Sequence, residues 1–567
     1  MSSGKDFDEI TSFLGVYGFS QILIIVLLSL SAIVSGYTVM AVVFVSDTPE
    51  HHCKASNASA RTDVAVPFRE QSGWIGPDGC SRYKVNGNWT GAARPSGNDT
   101  EQCVDGWVFS TERYTATIVS EWDLVCDSAW KVPLSTSLFF VGVLIGSFIS
   151  GDLSDRFGRR PVFFFTMALL TVTPLIQATS VSWLMFCILN ALRGLGLPNY
   201  VVSLVLGSEM LSQTARVSFA LLGHSVGFGV GYALLPLVAY FVRGWRMLLM
   251  VTAIPGFLFI PTWWLIPESP RWLLQKGRVE EAELVVRIMA KRNRVPAPEV
   301  IFRADECLEL TRNKGEEEQT YTYLDLIRTP NMRNITILSV FIWMSTSMVF
   351  YGLSLNTSNL NGDVYLNCFI SAAIDIVVYG ATWVLVNHAS RPTILFSTLM
   401  FCGIMLLVIK LVPEDMHVML QVLALLGKVG VSAAYSMIHV FFAELIPTVV
   451  RNMGLGIAST AARIGTIMCP YVIYMGVYSK ILPYIVFGTI SIMAAAVCIL
   501  LPDTRNSKLP DLISHAKPIR GYMAVCGCCQ RTQLQPDPPG RAPAQNQVSH
   551  SGQTVELQLP GPSRDAI

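Results

Sequence analysis

Four charged residues stand inside long apolar stretches: Arg193, Asp375, Lys428 and Arg463. A charge at the centre of a bilayer costs at least about 2.5 kcal/mol, so each needs a partner or a task. Around Arg463, the residues Gly456, Ser459, Thr460, Thr466, Pro470 and Tyr474 fall within about 60° of one another on the 100° step of an α-helix. That small, polar stripe points Arg463 into a cavity, and its planar fork suits a carboxylate. The plainer alternative is a structural arginine paired with Asp375. A second stripe, Cys368, Ser371, Asp375, Tyr379 and Thr382, carries one acid. The acid is either a counter-charge for a substrate or the buried partner of Lys428 or Arg463. A third stripe aligns Lys428, Ser432, Tyr435 and His439. Lys428 reads as a gating or packing charge, and His439 as a hydrogen-bonded structural histidine. His224 reads the same way, beside the small-residue stripe Gly223, Gly227 and Gly231, which favours close helix packing. A quaternary ammonium group is held by aromatic faces. Candidates are Tyr232, Trp343, Phe350, Tyr351 and Tyr474, with Phe350 and Tyr351 first because Ser347 and Ser354 share their side of the helix.

The elements that must carry these residues are membrane spans. Of 567 residues 51% are hydrophobic and 14% charged, against roughly 25% charged in soluble domains. Spans of about 20 apolar residues are predicted at 20–44, 133–151, 161–179, 183–206, 217–241, 247–266, 334–355, 364–387, 393–411, 417–442, 453–477 and 481–501, numbered 1 to 12 in chain order. Lipid offers the backbone no hydrogen-bond partner, so each span is helical. The first apolar run comes after an acidic segment (Asp6, Asp8, Glu9) and has the length of a full span, so no cleavable signal peptide is expected. A net charge of +1 points to no nucleic-acid partner.

Basic residues crowd the segment 267–333 and the turn between spans 2 and 3, which the positive-inside rule makes cytoplasmic, together with both termini. Arg243 and Arg246 are the exceptions on the outer side. The expected organisation is a cytoplasmic N-terminus 1–19, a six-helix half 20–266, a cytoplasmic loop 267–333, a second half 334–501 and a disordered cytoplasmic tail 502–567. The loop 45–132 then lies outside. It holds Cys53, Cys80, Cys103 and Cys126 and three N-x-S/T sites, Asn57, Asn88 and Asn98. Disulfides and glycans both belong to that face. Four cysteines allow three connectivities, all open from sequence. Cys526, Cys528 and Cys529 read as tail thiols before palmitoylation sites. The tail's end, Asp565-Ala566-Ile567, is a weak candidate to add a strand to a PDZ domain.

The halves repeat. Pro267-Glu268-Ser269-Pro270-Arg271 follows span 6 and Pro502-Asp503-Thr504-Arg505 follows span 12, 235 positions on. Glu209 and Arg216, then Glu444 and Arg451, repeat with the same offset. Arg160-Pro161 and Arg391-Pro392 open spans 3 and 9. Two parallel six-helix halves form a transporter architecture with its cavity near the midplane. The loop Gly151-Asp152-Leu153-Ser154-Asp155-Arg156-Phe157-Gly158-Arg159-Arg160 resembles the span 2–3 signature of the major facilitator superfamily. Its glycines permit a tight turn. Asp155, Arg156, Arg159 and Arg160 can pair to lock one side, with Glu209, Arg216, Glu268, Arg271, Glu444, Arg451 and Lys428 as further gating charges.

Within that superfamily the chain resembles the organic ion transporter family over about residues 5–510. The resemblance rests on the cysteine-bearing loop, Glu121-Trp122-Asp123-Leu124-Val125-Cys126, Ser137-Leu138-Phe139-Phe140-Val141-Gly142-Val143 and Ala443-Glu444-Leu445-Ile446-Pro447-Thr448. Thr48-Pro49-Glu50-His51, Trp245-Arg246-Met247-Leu248-Leu249 and Val449-Val450-Arg451-Asn452-Met453-Gly454 resemble its organic cation/carnitine members most. The resemblance implies an all-α, twelve-span plasma-membrane carrier of small organic cations or zwitterions. An acid in span 8 with an arginine in span 11 is the carnitine-type combination, although Asp375 stands where glutamate is expected. Asn199-Tyr200 matches a pair those members place at the substrate and sodium sites. Ser35-Gly36 departs from the Asn-Gly of sodium-coupled members, so sodium as a coupling ion is an open expectation; no other cofactor is implied. Arg193-Gly194-Leu195-Gly196 resembles a superfamily motif of span 4.

The stretch 207–214, GSEMLSQT, lacks the lysine and second glycine of a P-loop. No metal-ligand spacing and no nucleophile elbow point to an enzyme. The rival reading is an organic anion exchanger, since Arg193, Lys428 and Arg463 outnumber Asp375.

Overall fold

The computed structural model describes residues 7–54, 68–71, 74–77, 79–83, 100–302, 322–360, 362–385, 388–413, 415–504, 510, 513 and 516–519. Asn57, Asn88, Asn98, Cys526, Cys528, Cys529 and Asp565-Ala566-Ile567 lie outside them. Ten segments are long and apolar enough to cross a bilayer. They are Phe19–Val45 (span 1), Cys126–Phe157 (2), Arg159–Gln177 (3), Trp183–Met210 (4), Trp245–Trp264 (6), Pro330–Asn359 (7), Val364–Leu385 (8), Arg391–Leu411 (9), His417–Leu445 (10) and Arg451–Val477 (11). Two shorter apolar helices, Ser225–Phe241 (5) and Leu482–Cys498 (12), occupy the remaining places.

Three spans are irregular, each for a local reason. Span 4 is interrupted between Trp183–Gly196 and Asn199–Met210 at Pro198, whose ring cannot continue the hydrogen-bond ladder. Span 5 is extended at its N-terminal end by Gln213–Ser218 and a π-helical turn, Phe219–His224. Span 1 breaks at Ala41 before Val42–Val45. The small-residue stripe on span 5 meets span 1: a Cβ on Gly231 would stand 2.1 Å from the Ile33 carbonyl oxygen. Only glycine admits that backbone-to-backbone contact.

Span 5 packs against span 8, and span 2 against span 11, so these four helices join the halves. Hydrogen bonds that cross between the halves lie toward the face that carries the cysteine loop. Tyr232 donates its hydroxyl to Ser371 Oγ (3.1 Å) and to the Ser354 carbonyl (3.2 Å). Ser137 donates to the Ile467 carbonyl (2.9 Å), and Tyr365 to the Arg113 carbonyl (2.9 Å). Tyr365 also stacks on Phe44 at 5.5 Å and meets Tyr240 edge-on at 5.6 Å.

The cysteine loop adds short strand pairs to the all-α bundle, beside the one-turn helix Ile118–Glu121. His51–Cys53 pairs antiparallel with Trp107–Phe109, and Ser81–Tyr83 with Thr100–Gln102. The strands bring together Cys53 with Cys103 and Cys80 with Cys126, which settles the connectivity. His51 lies near Cys80 and Cys126, but both sulfurs are committed to the disulfide. Arg246, the charge exception on this face, is paired with Glu121, which also accepts from Trp245 Nε1 at 2.7 Å. The segment between the halves holds the helix Val279–Asn293, ended by Arg294 in the left-handed conformation at φ 58°.

Candidate functional site

The charge motifs at the opposite, basic face resolve into one cluster per half. In the first half Arg159 is the hub. Its Nε donates to Glu209 at 3.1 Å, and its second nitrogen reaches Asp155 at 2.8 Å and the Ser154 carbonyl at 2.8 Å. Glu268 lies at the N-terminus of span 3 and accepts from the amides of Arg159 (2.9 Å) and Arg160 (3.1 Å). Those amides have no partner within the helix, and the helix dipole favours an anion there. Gly158 admits this approach: its φ is +109°, and a Cβ would stand 2.3 Å from Glu268 Oε2. Burial pushes the Glu268 carboxyl above its usual range, opposed by the amides of Ser269, Arg160 and Arg159. Ser269 caps the next helix by accepting from the Trp272 amide, with Pro270 opening it. These roles give the Pro-Glu-Ser-Pro-Arg motif its order.

Several gating assignments need correction. Gly151 lies inside the helix of span 2 with open space around it, so it makes no turn. Arg156 pairs only with exposed Asp152 one turn back, a contact worth little. Glu209 pairs with Arg159 rather than with Arg216. Arg216 donates to the Ser208 carbonyl at 2.8 Å and faces Asp8, which also pairs with Arg271. In the second half Glu444 pairs with Arg391 at 3.2 Å and accepts from Thr504 at 2.7 Å, while Arg451 donates to the Ile446 carbonyl. Arg160 spreads its guanidinium over Trp263 at 4.4 Å. Each of these ion pairs stays within one half, so none of them clamps the two halves together.

Between the faces, the intramembrane charges sort into one pair and two single cations. Asp375 and Lys428 are both fully buried, with Lys428 Nζ 3.3 Å from Asp375 Oδ2. Ser432 donates to Asp375 Oδ1 at 2.5 Å, and Lys428 donates to Ser354 Oγ at 2.5 Å. Lys428 also sits 3.7 Å over the Phe350 ring, while Tyr435 stacks on Phe350 at 4.4 Å and 10°. Phe350 is buried at 1% exposure with both residues packed on its ring, so it presents no open surface to a ligand. Asp375 is the partner of Lys428, not of Arg463. Arg193 lies buried 5.1 Å over Phe139 of span 2, away from the pair.

Arg463 is half-buried, and its Nε has no hydrogen-bond partner. Among the described residues no ion pair involves it. Its charge acts on Tyr200, Tyr435 and His439. Tyr379 lies close to Tyr200, Tyr351 and Tyr435; Tyr351 meets Tyr435 edge-on at 6.2 Å and Phe140 at 5.6 Å. Spans 4, 7, 8 and 10 thus supply four electrostatically coupled tyrosines, of which Tyr200 and Tyr435 feel the charge of Arg463 on span 11. Toward the basic face the same side of span 11 is open: a Cβ on Gly456 would meet nothing within 4 Å, and His439 is exposed.

Other predicted site residues fall elsewhere. Tyr474 is the last helical residue before the 3-10 end of span 11, eleven residues or about 16 Å along the axis from Arg463. Tyr232 is fully buried with its hydroxyl committed between the halves. Asn199 ties span 4 to span 3 through Phe163 O (2.8 Å) and Thr166 Oγ1 (3.1 Å), leaving its Oδ1 unpartnered. Sequence reading placed Tyr379 and Tyr435 on polar stripes without assigning them to the site. It overlooked Asp47, whose only signal is an acid at the end of an apolar run. Asp47 lies near Tyr114 of the cysteine loop and Ser358 of the second half.

The family profile described as "Sugar (and other) transporter" matches residues 32–512. Mouse solute carrier family 22 member 21 is 44% identical over 529 residues, 91% of this chain and 94% of the relative. Human organic cation/carnitine transporter 2 is 44% identical over 531 residues, 91% and 95% of the two chains. The Drosophila melanogaster organic cation transporter protein is 34% identical over 561 residues, 97% and 98%. Among solved structures, the inward-open xylose transporter XylE from E. coli has a TM-score of 0.58 at 15% identity, covering 88% of this chain and all of that one. Its partially occluded inward-open form scores 0.59 at 16% identity, covering 86% and 99%. These two likenesses concern the fold alone.

Proposed function

The chain belongs to the major facilitator superfamily and, within it, to the organic ion transporter family of the organic cation/carnitine transporters, and on that premise we propose that it carries carnitine-like zwitterions and small organic cations across the plasma membrane. The carrying observation is Arg463, which has no ion-pair partner among the described residues and whose charge acts on Tyr200 and Tyr435, with Asp375 neutralised by Lys428. A carboxylate meets the guanidinium fork, and the ammonium end meets tyrosine faces. Asp375 then acts by cancelling Lys428, so that Arg463 is the one uncompensated charge among these residues. The tyrosine faces, which give the ammonium end a place, favour a zwitterion over a simple anion.

The crossing bonds at the cysteine face and the open side of span 11 at the basic face support an inward-facing state, in which alternating access would break the former. We take the basic face and both termini as cytoplasmic. For a sodium ion, Asn199 offers an unpartnered buried oxygen, Oδ1, while Ser35 Oγ donates to its own helix at Ser31 O. Sodium coupling is a separate proposal, tested by replacing external sodium with N-methylglucamine. The PDZ reading of Asp565-Ala566-Ile567 is tested by deleting those residues and measuring surface retention.

The deciding experiment is uptake of labelled carnitine and tetraethylammonium by cells expressing the chain, competed by each other and by p-aminohippurate. Saturable carnitine uptake, inhibited by tetraethylammonium and not by p-aminohippurate, is expected. Uptake driven by trans p-aminohippurate, with no carnitine flux, would establish the anion-exchange reading instead.

A further inference from the structure

We propose that His224 is a positioning residue that fixes Tyr200 in the tyrosine box and thereby sets affinity for the ammonium end of the substrate; the proposal rests on Tyr200 facing that end. His224 is fully buried. Its Nε2 lies 2.8 Å from the Tyr200 carbonyl oxygen. A carbonyl can only accept, so Nε2 carries the hydrogen. The two rings are 4.0 Å apart, centroid to centroid. His224 covers one side of Tyr200 at a tilt of 38°, and Phe228 meets the ring edge-on at 5.6 Å. Ser225, the next residue, donates to the Ala220 carbonyl at 3.0 Å within span 5. Span 5 therefore grips Tyr200 at its backbone and its ring.

The local backbone makes this grip possible. The turn Phe219–His224 is π-helical. The extra residue in such a turn rotates the helix beyond it by about 100° relative to the helix before it. Phe219 can then seal against span 4, where a Cβ on Gly207 would stand 2.4 Å from its ring, while His224 reaches Tyr200. Phe219 also flanks His224 at 5.6 Å. Nothing in the transport reading requires a histidine here. A buried imidazole whose Nδ1 has no partner carries a cost, and its hold on Tyr200 is the compensating contact.

Two substitutions separate the parts of the side chain. His224→Phe keeps a ring behind Tyr200 and removes the donor. His224→Gln removes the ring and keeps an N–H that can reach the carbonyl. Uptake of tetraethylammonium and carnitine is measured in cells, normalised to biotinylated surface protein, beside Tyr200→Ala. His224→Phe is expected to raise KM for both substrates about three- to tenfold, the loss of one aromatic face, with Vmax per surface molecule within about twofold. His224→Gln is expected to return KM to within about twofold of the original. If Tyr200→Ala raises KM and His224→Phe does not, His224 positions nothing and the proposal is overturned. If Tyr200→Ala itself leaves KM unchanged, the tyrosine-box reading fails first. A His224→Phe variant that lowers Vmax alone also overturns the proposal, because a packing defect acts that way. Should His224→Phe not reach the surface, His224→Leu replaces it with the same expected readings.

Discussion

Removing Asp375 and Lys428 singly and together tests whether their charges serve the substrate or each other. The side chains are 1% and 2% exposed, and Lys428 Nζ is 3.3 Å from Asp375 Oδ2. Taking away one partner leaves a buried, uncompensated charge, which costs about 3–5 kcal/mol. At about 1.4 kcal/mol per factor of ten, the folded population falls by roughly two to three and a half powers of ten relative to unfolded. Asp375→Asn and Lys428→Met should each lose most surface protein and lower the thermal transition of detergent-solubilised material. The double variant Asp375→Leu with Lys428→Met should regain most of both, since apolar side chains of similar size can replace a buried pair at little cost. The assay is a double-mutant cycle on the thermal transition, with surface biotinylation in parallel. A double variant no more stable than the worse single one would refute the pairing. So would Asp375→Asn at normal surface level that loses tetraethylammonium uptake and keeps carboxylate binding. In that case the acid reads the substrate directly.

Arg463 should behave oppositely. It has no ion-pair partner among the described residues, so Arg463→Ala should reach the surface yet lose a charge-assisted bond worth about 1.5–3 kcal/mol. Carnitine KM should rise about tenfold to a hundredfold, with only partial rescue by Arg463→Lys, which lacks the fork; an unchanged KM returns Arg463 to a structural role. Asp47 should make uptake sensitive to external acid. Burial at the closed cysteine face pushes its carboxyl above the usual range, opposed by Tyr114, Thr48, Ser358 and the nearby Arg113. A proton is then held more tightly in the closed state than in an open, hydrated one, so acid favours closure, and that preference fades as pH rises through the raised value. Uptake should fall as external pH drops toward about 4, the ordinary carboxylate value, and Asp47→Asn should flatten that limb; an identical pH profile refutes this role for Asp47. Glycosidase treatment should increase gel mobility, and loss of Asn57, Asn88 and Asn98 together should abolish that shift; a shift that survives refutes the sites.

Much of this protein is legible in the chain because the bilayer leaves few choices. A run of apolar residues must be a helix there, so spans could be placed from hydropathy, and ten reappear with ends moved by a turn or less in most cases. The polar stripe of span 11 follows from the 3.6-residue period, and the free Arg463 sits where that stripe put it. Identity between halves made the Arg and Glu landmarks visible as a repeat. What periodicity cannot give is which helix faces which stripe. Asp375 had Lys428 and Arg463 as equal candidates until the packing of spans 8 and 10 brought Lys428 to 3.3 Å. Phe350 shared a polar side of its own helix and is buried by Lys428 and Tyr435 of span 10. The disulfide connectivity waited on strand pairing in a loop without helical period. The π turn that swings His224 onto Tyr200 has no sequence signature either. Local physics assigned each residue to a helix and a side of it; partners on different elements were decided only when the chain packed, because only packing determines which polar stripes share a dry interior.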